Sequence, residues 1–458
     1  MDLSKIKKIY MIGIKGVGMT MLAQFLSSKG YEISGSDTDE KFMTDKILNA
    51  TSISFYEGFS ENNISEDADL FIRSSAYTSD NNIEVKKVLS SGKKVYTYAE
   101  ILSEIFDRMY GLAVCGSHGK TTTTAWLGFV MMMSGLEPNV MVGSNVPQFK
   151  GAAITGKSDL LVIEADEYQN KLGLYQPKAV VLNNIDHDHH DFFPTKESYI
   201  KVFSDFVKKI PKKGFLVANF DDEDVAKVAS RCAGKIISYG IDNDASLMAY
   251  DIKNKKGRQF FKVKLEGDEL GDFSTSLLGK HNILNALAVI AASIELEIEL
   301  KDIRTHLADF TGTERRMSVM GKFRGATIID DYAHHPTEIR TTLDGLRSSY
   351  PDNKITVVFH PHTFTRTKAL FDEFTKSFSQ ADKVIVLDIY GSAREQQGGV
   401  DSRELVDKVK QLENNKEILY IPTLKEAEEH LRQTIDREEI VVLMGAGDVF
   451  RIGKNLVE

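Results

Sequence analysis

"AVCGSHGKTTTTAW", residues 113–126, carries an apolar run into a glycine loop and then into the start of a helix. Such a loop turns backbone N–H groups and the positive end of a helix dipole toward one point, an arrangement suited to phosphate oxygens. In it Gly116, Ser117, His118 and Gly119 form a cradle, and Lys120 adds a charge for the terminal phosphates. A hydroxyl from Thr121 or Thr122 can complete a magnesium shell. The longer G-x-x-x-x-G-K-[ST] pattern would put glycine at 114, where this chain has Val114, so the run is the shortened G-x-x-G-K-T form. The alternative is a Gly-Lys-Thr helix start with no ligand.

On both sides of this loop short apolar runs alternate with helical patterns, which is the signature of βαβ units and parallel sheets. Strands are expected at "KIYMIGI", "DLFIRS", "GLAVCG", "DLLVIEA", "KAVVLNNI", "GFLVANF", "ATIIDDY", "KITVVFH", "KVIVLDIY" and "EIVVLMG". Helices are expected at "TTTTAWLGFVMMMSG", "ESYIKVFSDFVKKI", "HNILNALAVIAASIEL" and "SRELVDKVKQL". Two segments interrupt the alternation, "SEIFDRMYG" and "ADFTGTERRMSVMGKFRG", each ahead of a fresh strand. They divide the chain into 1–107, 108–314 and 315–458, as a length of 458 residues, too great for one growing core, requires.

Composition narrows the function. Asp plus Glu at 66 exceed Lys plus Arg at 57, and the net charge of −9 argues against nucleic acid or anionic membrane as partners. Any anionic ligand therefore needs a local site. Cys115 and Cys232 offer neither a disulfide framework nor a four-thiolate zinc site, which fits a reducing cytoplasm. "MDLSKIKKIYMIGI" lacks an export pattern, and "ALAVIAASI" is too short to span a bilayer.

A bound triphosphate requires a divalent metal, and carboxylates at neighbouring strand ends can supply it, since ligands of parallel sheets sit at the carboxyl ends of strands. "LLVIEADEYQN" offers Glu164, Asp166 and Glu167, and "NNIDHDHHDFF" at 183–193 offers three aspartates and three histidines. Magnesium prefers oxygen, so most of those histidines are expected to hydrogen-bond or lie at the surface. The spacing His187-x-His189-x-Asp191 also opens a zinc-hydrolase run, but that chemistry needs histidine next, and the chain has Phe192. At the amino terminus, "YMIGIKGVGMT" runs from a strand through Gly13, Gly16 and Gly18 into a helix, and the next strand ends at Asp37. This is a diphosphate loop or a tight structural turn, because its G-x-x-G-x-G spacing departs from the dinucleotide fingerprint. The strand end "FIRSSAY" puts Ser74 and Ser75 within reach of the same ligand.

Taken in order, "GIKGVGMT", "SGSD", "SSA", "GSHGKTTTT", "EADE", "NNIDHDHHD", "GKHNILNALA", "FTGTERR", "DDYAHHPTE", "FHPHTFTRT", "DIYGSARE" and "MGAGD" closely resemble the ATP-dependent Mur ligases over essentially the whole chain. The resemblance implies an α/β chain of three domains: a Rossmann-like N-terminal domain for a UDP-sugar, a central P-loop ATPase domain, and a Rossmann-like C-terminal domain for an amino acid. It further implies that Gly13, Gly16, Val17, Gly18, Ser36, Asp37, Ser74 and Ser75 bind the UDP-sugar. By the same match, Lys120 and Thr121 would hold phosphates and Mg2+, and Glu164 and His189 would bind that metal, with Asn184 and Asp188 in support. His281, Asn282 and Asn285 match adenine contacts, for which an N-terminal helix cap is the plain alternative. Arg316 matches an arginine at the phosphates, with Asp331 facing it, while Arg315 reads as a solvated neighbour. Tyr332, His334, His362 and Arg366 match the amino-acid clamp, and by residue type and location His334 or His335 is the expected acceptor of the amine's proton. Departures from the family pattern are Thr363 where one form has arginine, Ser117 where threonine is commoner, and the continuation "ADEYQNK".

The expected reaction joins L-alanine to the carboxylate of UDP-N-acetylmuramate through an acyl phosphate, giving ADP and phosphate, in peptidoglycan precursor synthesis. A recycling ligase that attaches a tripeptide to the same sugar shares most motifs, though "PHTFTRT" favours single alanine. A P-loop switch or transport ATPase would instead hydrolyse nucleotide without a UDP-sugar. A cytoplasmic monomer or weak homodimer is expected.

Overall fold

Burial on both faces makes these apolar runs strands of covered parallel sheets: Leu112–Cys115 and Leu161–Ile163 each expose 1% or less. A computed structural model describes the chain except residues 1–4, 43, 52, 256, 392–396 and 414. Residues 392–395 of "DIYGSARE" thus lie outside the described residues.

Three sheets each draw on one continuous stretch of chain. The first is parallel, with β1 (Lys8–Ile12), β2 (Glu32–Asp37), β3 (Ser54–Glu57), β4 (Leu70–Arg73) and β5 (Val95–Thr97) in the order β3-β2-β1-β4-β5. Strand order reverses between β1 and β4, so the loops after them open on one crevice. The second contains β6 (Tyr110–Cys115), β7 (Asn139–Val146), β8 (Gly151–Ile154), β9 (Leu160–Glu164), β10 (Ala179–Leu182), β11 (Phe215–Asn219) and β12 (Lys235–Gly240). It continues through β13 (Leu247–Lys255), β14 (Arg258–Leu265) and β15 (Asp268–Thr275), in the order β15-β14-β13-β12-β11-β10-β6-β9-β7-β8. The third contains β16 (Ser318–Phe323), β17 (Ala326–Asp331), β18 (Ile355–Phe359), β19 (Lys383–Val386), β20 (Glu417–Tyr420) and β21 (Ile440–Met444), ordered β16-β17-β21-β18-β19-β20. The fold is α/β, with a Rossmann-like sheet at each end of the chain and a P-loop sheet between them. Among the described residues no helix is long and apolar enough to cross a membrane.

The phosphate-loop strand β6 lies between β9 and β10, so the ends of all three open on the same side. Its helix, Lys120–Met133, is buried from Thr121 through Met131, as its apolar circumference demands. It packs on the helices Lys280–Glu295 and Leu300–Asp309. β13–β15 form an antiparallel extension whose β14–β15 turn places Glu266 at φ 50 and Gly267 at φ 96, the positive-φ pair that suits tight hairpins.

The crossing from the second sheet to the third is pinned on both sides. Glu314 accepts from Asn145 Nδ2 at 2.7 Å and donates its N–H to the Asn145 carbonyl at 3.0 Å. Arg315 Nη2 donates to the Gly445 and Gly447 carbonyls at 2.7 and 2.9 Å.

Trp126, the chain's single tryptophan, is fully buried, stacks on Phe310 at 5.5 Å, and donates its Nε1–H to the Leu307 carbonyl at 3.1 Å. That carbonyl lies in the last turn of the helix Leu300–Asp309, where no intrahelical partner exists. Trp126→Phe should destabilise the chain by about 1–3 kcal/mol, read from chemical unfolding followed by circular dichroism, because a buried acceptor loses its donor. A loss below about 0.5 kcal/mol would show that this bond does not anchor the helix.

Candidate active site

Gly116 and Gly119 are required by close approach. Gly116 has φ 128, and a Cβ there would meet the Asn184 carbonyl at 2.8 Å; Gly119 has φ 79, and a Cβ would meet Asn285 Oδ1 at 2.7 Å. The Ser117 and His118 amides donate to the carbonyl and side-chain oxygens of Asn184 at 3.0 and 2.8 Å. The loop is thus shaped by Asn184, and the start of the helix Lys120–Met133 carries the amides without intrahelical partners. Lys120 Nζ donates to the Gly116 carbonyl at 2.5 Å, the Ser117 carbonyl at 3.1 Å and Glu167 Oε2 at 2.9 Å. Burial works against its charge, but Glu167 and Asp166 outweigh burial and raise its pKa.

A cavity of about 110 Å³ opens here, lined by Lys120, Thr121, Glu164, Glu167, Asp188 and His189 from the central domain. Arg316, His334 and Glu338 line it from the far side of the linker. Thr121 Oγ1 donates to Glu164 Oε1 at 2.8 Å, and Glu164 Oε2 accepts the Gly143 N–H at 2.7 Å. His189, held at φ 55, points Nε2 to within 3.6 Å of Glu167 Oε1. One donor atom each from Asp166, Glu167 and His189 lies within 4.8 Å of the others. With Thr121 and Glu164 on the same cavity, oxygen outnumbers nitrogen, and the donor set fits magnesium. His187 instead bonds the Phe193 carbonyl at 2.9 Å, and its ring packs on His190 at 4.2 Å.

Glu338 joins the two sides. Its Oε1 lies 3.3 Å from His118 Nδ1 and 3.4 Å from Arg316 Nη1, and its Oε2 accepts the His334 N–H at 3.1 Å. Burial disfavours its charge, yet the cationic His118 and Arg316 hold the carboxyl well below the usual range. His118 Nε2 meets Asp186 Oδ2 at 3.0 Å; burial lowers its pKa, but the bonds to Asp186 and Glu338 prevail and raise it to about 9. Asp331 accepts the Met317 and Ala333 N–H groups, each at 2.8 Å, so it shapes the turn that carries Arg316, and burial raises its pKa to about 6.

His334 Nδ1 lies 2.9 Å from the Tyr332 carbonyl, which requires a hydrogen on Nδ1 and leaves Nε2 as the acceptor. Burial lowers its pKa to about 3. Its ring lies 5.3 Å from that of Tyr332 and 6.1 Å from that of His362. Arg366 reaches Asp188 from the third domain, with Nε 3.2 Å from Oδ1 and Nη2 3.3 Å from Oδ2.

A larger cavity of about 1040 Å³ adjoins this one through His118, Gly119, Arg316 and Glu338, and His281, Asn282 and Asn285 line it together with Thr122 and Asp331. The helix Lys280–Glu295 begins at Gly279 with no side-chain cap, so the capping alternative for the His-Asn pair fails. Asn282 Nδ2 donates to the Leu278 carbonyl at 2.7 Å, and Asn285 donates to Asn282 Oδ1 at 3.1 Å.

The amino-terminal residues lie outside both cavities, at the β1/β4 reversal. A Cβ on Gly13 would strike Tyr77 at 2.7 Å, and one on Gly18 would meet Tyr98 at 3.1 Å. Asp37 Oδ2 accepts the Lys15 N–H at 2.7 Å and thus closes its own loop. Ser36 is buried with its hydroxyl on Glu84, Ser74 Oγ accepts the Ala76 N–H at 3.3 Å, and Ser75 and Val17 are exposed. Gly16 meets nothing nearer than 3.5 Å. Glu338, Asp186 and Tyr199 join this network without any motif role that the sequence assigns them. For Glu338 a signal existed, since "HHPTE" has the spacing of a capping box and the structure forms one with His335.

Family models for the Mur ligase family catalytic domain, the Mur ligase middle domain and the Mur ligase glutamate ligase domain match residues 8–110, 114–293 and 315–447. The UDP-N-acetylmuramate--L-alanine ligase of Desulfitobacterium hafniense is 38% identical over 98% of this chain and 99% of its own. That of Clostridium acetobutylicum is 38% identical over 98% and 97%. The crystal structure of the UDP-N-acetylmuramate-alanine ligase of Thermotoga maritima superposes with a TM-score of 0.83 at 25% identity, over 98% of both chains. A murein peptide ligase from Psychrobacter arcticus shares the fold, with a TM-score of 0.73 at 23% identity over 98% of both chains. With three family domains in order and relatives similar along nearly the whole chain, this protein belongs to the Mur ligase family.

Proposed function

We propose that this chain joins L-alanine to the carboxylate of UDP-N-acetylmuramate, driven by cleavage of ATP to ADP and phosphate. What supports it most is the meeting of Lys120, Glu164, His189, Arg316 and His334 on one cavity between the central and third domains, in a chain similar end to end to relatives that bear that name. In this reading residues 1–107 bind the UDP-sugar through the loops at Gly13–Gly18, Ser36–Asp37 and Ser74–Ser75. Residues 108–314 bind ATP, with adenine near His281, Asn282 and Asn285 in the larger cavity and the phosphates at Gly116–Thr122. Residues 315–458 bring Tyr332, His334, His362 and Arg366 to the amino acid.

The muramoyl carboxylate attacks the γ-phosphate, and Lys120 and Arg316 neutralise the charge that develops on the transferring group. Thr121, Glu164 and His189 would hold a magnesium ion, with Asp166 and Glu167 beside them, and it would supply further neutralisation at the phosphates. The alanine amine then attacks the acyl carbonyl, the C–O bond to phosphate breaks, and the departing phosphate takes the proton the nitrogen loses. The walls contributed by Arg316, His334 and Glu338 exclude water from this intermediate. A proton acceptor needs a pKa nearer working pH than burial leaves to His334 at about 3 or His335 at about 4, so His334 Nε2 is assigned to orienting the amine through a hydrogen bond.

Phosphate release from ATP by the purified chain should require both UDP-N-acetylmuramate and L-alanine, tested against glycine, L-serine and the tripeptide. Release without the UDP-sugar would sink the ligase reading, and preference for tripeptide would sink the alanine assignment. Lys120→Ala should lower turnover by a factor of about 100 to 1,000 or more, as loss of a group that stabilises transition-state charge does. His187→Ala, which loses the bond to the Phe193 carbonyl and the ring contacts with His190 and Tyr199 but no group lining the cavity, should keep most activity; equal losses in the two variants would overturn the ranking.

His118 gives a pH dependence. Its folded pKa of about 9 lies above the unfolded value of about 6.5, so the charged ring stabilises the closed domains fully below pH 6.5. That contribution is lost as pH rises through 9. The melting temperature of the ligand-free chain should therefore fall between about pH 6.5 and 9.5, and less steeply in His118→Gln. Parallel slopes in the two proteins would show that the His118 contacts carry no such weight.

A further inference from the structure

We propose that Asp188 is a positioning residue for the incoming amino acid: from the central domain it fixes the guanidinium of Arg366 on the third domain, so the carboxylate clamp exists only when the two domains are together. This rests on the reading of Arg366 as the clamp.

The two side chains are 178 residues apart and both nearly buried, at 11% and 10% exposure. Asp188 takes the side edge of the guanidinium, with Nε 3.2 Å from Oδ1 and Nη2 3.2 and 3.3 Å from its two oxygens. Nη1 faces His362, 3.4 Å from its carbonyl and 3.5 Å from Nδ1. A guanidinium has five N–H donors; where one Nη1 hydrogen is shared by the two long His362 contacts, a second Nη1 hydrogen and one on Nη2 are left side by side on the end edge. Two parallel donors on one edge are what a carboxylate accepts in bidentate fashion. The pair thus orients Arg366 without consuming the edge that would receive a substrate.

The plainer reading, that the pair only holds the domains together, explains less. A buried ion pair is a weak source of net stability, because desolvation of both charges offsets their attraction. Asp188 also has a second duty: Oδ1 accepts the His189 N–H at 2.7 Å, in a residue with φ 55 whose Nε2 lies 3.6 Å from Glu167. One carboxylate therefore sets the backbone that aims a metal-facing histidine and the side chain that faces the amino acid. Metal, phosphate and amino-acid sites are registered to each other through it.

The test uses the full-length chain and initial rates of phosphate release. Asp188→Asn keeps an acceptor for the His189 N–H but removes the charge that grips Arg366. It should raise KM for L-alanine about tenfold or more, the loss expected when a charge-assisted contact is misaligned, while KM for ATP and for UDP-N-acetylmuramate stays unchanged. Arg366→Lys, which retains charge and loses the fork, should raise the alanine KM in the same sense. The double variant should be no worse than Arg366→Lys alone, because both changes act on one contact. An unchanged alanine KM in Asp188→Asn, equal rises in all three KM values, or additive effects in the double variant would each overturn the proposal. If Asp188→Asn does not fold, Arg366→Lys decides, since an unchanged alanine KM there removes the clamp itself. Failure of the underlying activity is distinguishable, since the unsubstituted chain would then show no dependence on L-alanine.

Discussion

A single nearly buried carboxylate, Glu338, is where the two halves of the candidate site meet. It would be strongly disfavoured in this position alone, because a charge removed from water needs a partner for each lone pair. His118 from the phosphate loop, Arg316 from the linker and the N–H of His334 supply those partners. Each of them is itself a group facing the cavity, so satisfying Glu338 also orients the site. Such a network rigidifies only when every member is present, and here the members come from two domains. The closed arrangement of the domains and the geometry of the site are therefore one and the same condition.

The same logic extends inward to the phosphate loop. Tyr199, fully buried, places its hydroxyl 2.8 Å from Ser117 Oγ and 3.1 Å from Glu167 Oε1. Ser117 Oγ accepts the Asp186 N–H at 2.8 Å, so the loop, the acid beside Lys120 and the segment carrying His189 share one chain of bonds. Serine in place of threonine removes a methyl group, and what stands against its oxygen is a phenol hydroxyl from the helix Lys196–Val207. The electrostatics are consequently preset: Glu167 holds Lys120 charged in the ligand-free chain, so the proposed phosphoryl transfer would need little reorganisation there.

What was readable in the sequence follows from range. Each of the ten apolar runs read as strands overlaps one, because a strand buried on both faces needs no partner to declare it. No strand of the antiparallel extension β13–β15 is an unbroken apolar run: in β14 the period-2 pattern of a one-faced strand is blurred because polar Gln259 takes a buried position beside Phe261 and Val263 and apolar Phe260 an exposed one. In the candidate site, Lys120 opens a helix and Glu164 closes a strand, and His189 sits in the loop after β10, each legible within its own motif. Glu338 with His118, 220 residues apart, and Asp188 with Arg366 were not, because nothing local records a contact made across domains. Ser36 shows the same limit: it ends a strand beside the glycine loop, and nothing local records that its hydroxyl turns inward to Glu84.

The linker run "GTERRM" shows how two adjacent arginines acquire different work. Arg315 at φ 59 and Met317 at φ 53 both occupy the left-handed region, which costs roughly 1 kcal/mol or more per non-glycine residue. That strain persists because the flanking bonds over-determine it: Glu314 is fastened to Asn145, Arg315 to Gly445 and Gly447, and the Met317 N–H to Asp331. Arg315, read from sequence as a solvated neighbour, is therefore a brace, stacked between Tyr332 and Phe450 at 4.8 and 4.7 Å. Arg316, fixed between two left-handed residues, has its direction set by the backbone, and its guanidinium goes to the cavity and Glu338. A flexible linker would give the same covalent reach without that direction. The strained one makes the joint between the domains a wall of the candidate site, so a change that relaxes the linker must also release the arginine.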